Sequence, residues 1–250
     1  MTARCIVRAA GLSHQGLVRD QNEDRFVIDQ SIGCYLVADG MGGHQAGEVA
    51  SSIASEVVAN KLARVSGKSQ VDPAKSLREA IASAHQAVRK QAGKSLSQRG
   101  MGSTVVVAWL QPSSCQLWLG HVGDSRAYLL RGSELFQLTE DHTIYNQAKR
   151  AGLLGPDPLT HPPRTMLSQA VGASDVIAPD IARIELKADD RLLLCSDGLT
   201  DMLGDEQIAG LLNAPEELEA VCQRLIQAAL ERGGKDNVTA VVLLVVKEAE

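Results

Sequence analysis

The links between the β-branched runs of this chain are so short that they restrict what it can fold into. Apolar runs at Gln116–His121, Ala127–Leu130 and Leu135–Leu138 follow one another closely, and Thr104–Leu110 precedes them. Gln111-Pro112-Ser113-Ser114 and Arg131-Gly132-Ser133 are the joints between them. Three or four turn residues can join antiparallel neighbours, but a parallel crossover needs a dozen or more. Further runs occur at Ile6–Ala9, Phe26–Asp29, Tyr35–Ala38, Ile181–Leu186, Arg191–Cys195 and Thr239–Val246. Helical periodicity is segregated from them. One apolar face is Ala50, Ala54, Val57, Val58 and Leu62, and a second is Leu77, Ile81, Ala84 and Val88. A third, late in the chain, is Leu218, Val221, Cys222, Leu225, Ile226 and Ala229. Grouped helices and hairpin strands predict an α+β fold: antiparallel sheets packed face to face, with helices outside.

A hydrophobic content of 44% over 250 residues can fill such a core, and no repeat or linker divides the chain, so residues 1–250 read as one domain. The net charge of -5 and the absence of a basic run argue against nucleic acid or acidic lipid as partners. Cys5, Cys34, Cys115, Cys195 and Cys222 are odd in number and contain no CxxC, the pattern of small hydrophobes in a reduced compartment. The first residues, MTARCIVRAAGLSHQG, lack a signal peptide's apolar core, and the longest apolar run, Ala240 to Val246, is too short to span a membrane. A cytoplasmic protein is therefore expected. Asn237-Val238-Thr239 matches a glycosylation sequon, which has no meaning without secretion. The segment at about 143–175 is a candidate lid. Its most irregular part, Leu153 to Asp175, holds Pro156, Pro158, Pro162 and Pro163.

Two apolar strands run directly into Asp-Gly: Tyr35-Leu36-Val37-Ala38-Asp39-Gly40 and Leu192-Leu193-Leu194-Cys195-Ser196-Asp197-Gly198. A third carboxylate, Asp236, stands just ahead of the last strand. A strand end holds a carboxylate rigidly, and the glycine lets the backbone approach a ligand. Converged carboxylates repel unless they bind cations or share protons. Oxygen donors favour Mg²⁺ or Mn²⁺ over zinc. Singly, each Asp-Gly is more often a plain turn.

The neighbours add specificity. Arg19-Asp20-Gln21-Asn22-Glu23-Asp24 is followed by Asp39-Gly40-Met41-Gly42-Gly43-His44 and Gly100-Met101-Gly102-Ser103-Thr104. Next come Gly120-His121-Val122-Gly123-Asp124-Ser125-Arg126, Leu138-Thr139-Glu140-Asp141-His142, Ser196-Asp197-Gly198-Leu199 and Lys235-Asp236-Asn237-Val238-Thr239. In this order and spacing the chain, from about Gly11 to Val246, resembles the bacterial branch of the metal-dependent protein phosphatases of the PP2C type (the PPM family).

That resemblance implies a β-sandwich flanked by helices and hydrolysis of phosphoserine and phosphothreonine esters. It implies that Asp39 bridges two Mn²⁺ or Mg²⁺ ions, with the Gly40 carbonyl on one and Asp197 and Asp236 on the other. Glu23 and Asp24 are implied to bind directly or through water, and Asp124 to hold a third, weaker ion with Asp197. Arg19 corresponds to the arginine that grips the substrate phosphate, a role that suits its planar donor fork. Two cations about 3.5–4 Å apart lower the pKa of a bridging water, giving a hydroxide that attacks phosphorus in line. The implied partners are phosphorylated proteins and a cognate Ser/Thr kinase, and the expected state is a monomer.

The chain departs from the pattern of many relatives at two places. Met41 stands where many eukaryotic members have a histidine after Asp-Gly, leaving His44 or a bound water as candidate proton donors. Gln169 stands where relatives often carry a lid arginine. His14, His85, His121, His142 and His161 read as local hydrogen-bonding groups, Glu140 and Asp141 as a helix-start signal ahead of Thr143, and Met41 and Met101 as packing residues. The alternatives from other classes are a catalytically inactive phosphoprotein-binding module and a regulatory switch that works by releasing a partner. The retention of Asp39, Asp197, Asp236 and Arg19 weighs against inactivity.

Overall fold

The computed structural model describes residues 6–42, 46–68, 70–111 and 114–246. Eleven strands occur among them: β1 (Ile6–His14), β2 (Asp24–Asp29), β3 (Cys34–Met41), β4 (Gly102–Ser103), β5 (Val105–Gln111), β6 (Gln116–Val122), β7 (Arg126–Arg131), β8 (Glu134–Gln137), β9 (Asp180–Glu185), β10 (Arg191–Cys195) and β11 (Val238–Val246). The helices are α1 (Ala46–Ala63), α2 (Pro73–Ala92), α3 (Ile144–Arg150), α4 (Asp197–Thr200), α5 (Asp205–Leu212) and α6 (Leu218–Glu231).

One sheet runs β1-β11-β10-β7-β8 and the other β2-β3-β5-β6-β9, with β4 paired to the end of β3. Every strand pairing is antiparallel, as the short joints require. The two sheets close over Tyr35, Val37, Val106, Ala108, Leu192, Leu194, Val241 and Leu243. The alternate residues of the same strands face outwards onto helices. Leu36, Ala38, Val105 and Val107 pack under α1 and α2, and Leu193, Cys195, Ala240 and Val242 pack under α4, α5 and α6. Central strands are thus buried on both faces, which is why they read as continuous apolar runs, not as alternation. The expected α+β sandwich with outer helices is what the chain forms.

Helix boundaries follow local chemistry. α2 starts at Pro73 behind Asp72, whose side chain accepts the Lys75 N–H at 3.0 Å. α3 lies within the segment expected to act as a lid, and Thr143 is its N-cap, accepting from Asn146 N–H at 3.2 Å. The reading of Glu140 and Asp141 as the helix-start signal needs correction. Asp141 is held by both nitrogens of the Arg126 fork at 2.8 and 2.7 Å, and Glu140 pairs with Arg150 at 3.0 Å. These acids tie α3 and its approach to the sandwich and do not cap that helix.

Among the described residues no helix is long and apolar enough to cross a membrane. Cys34, Cys195 and Cys222 are buried thiols, and burial pushes them up to about 12, about 12 and about 11. None is poised as a thiolate nucleophile.

Candidate metal centre

Strand parity decides which side chains meet at one end of the sandwich. Tyr35 and Val37 of β3 point between the sheets, and Asp39 keeps that side at the strand's end. Asp24, the register partner of Asp39 on β2, lies on the same side as Phe26 and Ile28. In the opposite sheet Leu192 and Leu194 set the side for Ser196, and Val241 and Leu243 set it for Thr239. The hydroxyls of Ser196 and Thr239 both donate to Asp24 Oδ2, at 2.7 and 2.6 Å. Asp24 is thereby locked beneath the centre and joins the two sheets there.

Above it opens a cleft of about 400 Å³ lined by Arg19, Glu23, Asp39, Gly40, Asp124, Asp197 and Asp236, with Thr165 and Leu167 contributed by the 143–175 segment. The structure therefore brings together seven of the eight residues singled out from sequence, and places the eighth, Asp24, in the layer below. Asp197 opens α4 directly after β10, Asp124 occupies the turn between β6 and β7, and Asp236 precedes β11. Two glycines are required by close approach. A Cβ on Gly40 would lie 2.1 Å from the Gly47 carbonyl oxygen, and one on Gly198 would lie 2.0 Å from the Asn237 carbonyl oxygen.

The cleft is electrostatically unbalanced. Burial, then the charges of Asp24, Asp197 and Asp124, hold the Asp39 carboxyl well above the ordinary range. Burial also lifts Asp24 to about 7, Asp124 to about 8 and Asp197 to about 6, with neighbouring aspartates adding to each. Asp39 and Asp197 act on each other directly, the contact raising Asp39 and lowering Asp197. Among the described residues three buried carboxylate oxygens, Glu23 Oε1, Asp24 Oδ1 and Asp197 Oδ1, have no hydrogen-bond partner. Arg19 is the one basic residue lining the cleft among the described residues, and it donates to Asp236 Oδ2 at 2.6 Å. Orphaned oxygens, an all-oxygen donor set and a deficit of positive charge fit hard divalent cations such as Mg²⁺ or Mn²⁺.

Several supporting residues had no assigned role in the sequence reading. Thr104 Oγ1 accepts the Asp39 N–H at 2.9 Å, while its own N–H donates to the Asp39 carbonyl at 2.8 Å. Its hydroxyl also bonds Ser125, next to Asp124, at 2.6 Å. Asn237 accepts the Glu23 N–H and donates to the carbonyls of Gln15 and Gln21, each at 2.8 Å, fastening the loop that carries Arg19. Asn237 was signalled by its position directly after Asp236 and Thr104 by its place in the Gly100-Met101-Gly102-Ser103-Thr104 motif; what they bond could not be read from one chain.

A tighter His/Asp cluster lies elsewhere: His121, His142 and Asp180. Its hydrogen bonds do not suit a cation. His142 Nδ1 faces two donors, the Gly123 N–H at 3.2 Å and the Gln169 amide at 3.0 Å, whose orientation is fixed by the Ala178 N–H on Gln169 Oε1 at 2.8 Å. His142 Nε2 therefore carries the proton and gives it to Asp180 at 3.2 Å. To coordinate through Nε2, the ring would have to move that proton into the face of two N–H groups. The cluster is a strut from the 143–175 segment to the turn bearing Asp124. Gln169 serves that strut and is not in the cleft.

The other histidines have local partners too. His14 and His85 accept the N–H groups of Gly16 at 2.9 Å and Gly172 at 3.0 Å, and His161 bonds the Gly155 carbonyl at 2.9 Å. His44 lies outside the described residues.

A model of the protein phosphatase 2C family matches residues 11–240. The serine/threonine protein phosphatase PstP of Mycobacterium tuberculosis is 38% identical over 242 residues, which are 96% of this chain and 45% of that protein. The chain thus spans under half the length of that relative. A serine/threonine phosphatase of Listeria welshimeri is 34% identical over 236 residues, 92% of each chain. The crystal structure of the PstP catalytic domain, in complex with two manganese ions, superposes with a TM-score of 0.83 at 36% identity, covering 97% of this chain and all of that one. By family match, relatives and fold alike, the chain belongs to the protein phosphatase 2C family.

Proposed function

We propose that the chain is a metal-dependent protein serine/threonine phosphatase, and that residues 1–250 act as one catalytic domain with 143–175 as its lid. The observation that carries this is the cleft itself: desolvated, mutually repelling carboxylates with orphaned oxygens, and a single guanidinium on their rim. When bound, a pair of Mn²⁺ or Mg²⁺ ions supplies charge neutralisation and an activated water at neutral pH.

The chain's own residues do the rest. Asp39, Asp197, Asp236 and the Gly40 carbonyl, which line one cleft, would hold these ions. Glu23 faces the cleft and Asp24 supports it from below. Asp124, which lines the cleft with Asp197, would hold a third, weaker ion with it. Thr104 and Asn237 hold the ligand backbone fixed, so that no reorganisation is needed during reaction. Arg19, which donates to Asp236 Oδ2 at the rim of the cleft, would hold the ester phosphate through its planar fork. The retained ligand set favours this reading over an inactive phosphoprotein-binding module. The names of its relatives support phosphoproteins as substrates, and opposition to a cognate Ser/Thr kinase follows from that reaction. A monomer is the proposed state.

The test is phosphate release from p-nitrophenyl phosphate and from a phosphothreonine peptide with Mn²⁺, with Mg²⁺ and with EDTA. Turnover in excess EDTA, or full turnover by Asp236→Asn, rejects the mechanism.

A further inference from the structure

The acidic cleft does not end at Arg19. A larger hollow of about 700 Å³ adjoins it and shares Arg19, Glu23 and Gly42 with it. Beyond Asp20 and Gln21, which also line it, this hollow is of another kind: Val18 from the loop after β1, Ala46 and Val49 from α1, and the neutral Ser97 and Gln98. Val18 is 67% exposed, whereas Val49 is partly buried against the helix side of the core. Cations and a phosphate group need none of these apolar surfaces. A single exposed valine is ordinary, but this one stands over a concavity that opens into the cleft where phosphate chemistry is proposed.

The opposite flank of the cleft is charged. There a hollow of about 650 Å³ shares Asp124, Thr165 and Asp197 with the centre, and Glu140, Asp141, Lys149, Arg164 and Asp201 are among its walls. A polypeptide whose phosphate is seated beside Arg19 advances about 3.3 Å per extended residue, so residues within two positions of the ester reach either flank. The two flanks offer them unlike surroundings. Pockets lined by apolar side chains and bounded by a few polar groups are what binding sites for apolar side chains look like.

We propose that the hollow between Val18 and Val49 is a substrate subsite that receives an apolar side chain from a residue within two positions of the phosphothreonine or phosphoserine, on one side of it only. The inference rests on the phosphatase reading and adds sequence selectivity to it. Val18 and Val49 are positioning residues in this scheme, since neither touches the reacting atoms.

The experiment uses the full chain with Mn²⁺ and phosphothreonine peptides in which Leu, Ser, Asp or Lys is placed at each of the two positions before and after the phosphoresidue. Leu on one flank is expected to raise kcat/KM about tenfold over Ser, the scale of discrimination by a partly open apolar pocket. Val18→Ser and the near-isosteric Val49→Thr are each expected to reduce that ratio towards unity, the first without disturbing the fold because Val18 is exposed. Equal kcat/KM for Leu and Ser at all four positions overturns the subsite, as does an equal preference on both flanks or a preference undiminished in both variants. Turnover of p-nitrophenyl phosphate separates the two readings: if it proceeds while peptide selectivity is flat, only the subsite falls. If it fails with Mn²⁺, the phosphatase reading falls and the subsite with it.

Discussion

The acidic cleft makes an unusual demand on stability: without cations, the protein should become less stable as pH rises through neutrality. Asp24 and Asp124 sit at about 7 and about 8 in the folded chain against an ordinary 3.8, chiefly because of burial. A carboxyl whose folded pKa is raised binds more protons folded than unfolded. Its contribution is full below the unfolded value and is lost as pH rises through the folded one, at roughly 1.4 kcal/mol per pH unit for each proton. His121 and His85 have the opposite sign, because burial lowers both below 6.5, so the clean window lies above 6.5. From pH 6.5 to 8 the two aspartates together lose about 2 kcal/mol, which for a chain of this size lowers Tm by about 4–8 °C.

Saturating Mn²⁺ replaces those protons. At a hundredfold excess over Kd it adds about 2.7 kcal/mol. Because protons compete with the cation for the same oxygens, the Mn²⁺-induced rise in Tm should be larger at pH 8 than at pH 6.5. Differential scanning calorimetry of EDTA-treated and Mn²⁺-loaded protein at four pH values reads both effects. A metal-free Tm that is flat or rises across this window refutes the argument, as does a Mn²⁺ shift no greater at the higher pH.

Four substitutions probe the parts separately. Asp39→Asn should remove the Mn²⁺-dependent rise in Tm and lower kcat by at least about a hundredfold, on the scale of losing a preorganised charge; Mn²⁺ titration calorimetry showing unchanged affinity would contradict this. Arg19→Lys keeps the charge but loses the fork, so kcat/KM for a phosphopeptide should fall about 10–100-fold while Mn²⁺ affinity, measured by the same titration, holds. Asn237→Ala deletes three hydrogen bonds to the loop bearing Arg19 and should cost about 2–4 kcal/mol, read by urea denaturation. Gly198→Ala places a methyl group 2.0 Å from the Asn237 carbonyl and should cost at least about 3 kcal/mol or abolish folding, read by circular dichroism.

Much of this architecture could be read from the sequence because its signals are local. Hairpin joints such as Arg131-Gly132-Ser133 fixed antiparallel pairing, and the periodic faces of α1, α2 and α6 fell where expected. The Asp-Gly steps after β3 and β10 became a centre only through their neighbours, since a strand end and a turn use the same dipeptide. What escaped the reading is long-range. Nothing in a single chain states that Thr104 bonds Asp39 across 65 positions, or that Asn237 reaches back to Gln15 and Gln21. Gln169 was legible as a departure from a pattern. Its place in the His142 strut needed coordinates, because hydrogen-bond direction decides which ring nitrogen is protonated.

The three aspartates at the heart of the site show how the fold and the chemistry constrain each other. Asp39 ends a strand of one sheet and Asp197 follows a strand of the other, so the facing of the two sheets is itself what brings the carboxylates together. The same apolar contacts that close the sandwich, among them Val37, Leu194 and Val241, force charges at its end into a poorly solvated space. A fold that sought stability alone would replace Asp24, 1% exposed, with a neutral side chain that still accepts from Ser196 and Thr239. Keeping a carboxylate there makes sense if the last layer of the sandwich is meant to be completed by cations. On this reasoning Asp24→Asn should raise the Tm of the metal-free protein at pH 8 while weakening Mn²⁺ binding. A variant less stable than the parent at pH 8, with metal affinity intact, would mean that Asp24 is merely a buried link between the sheets.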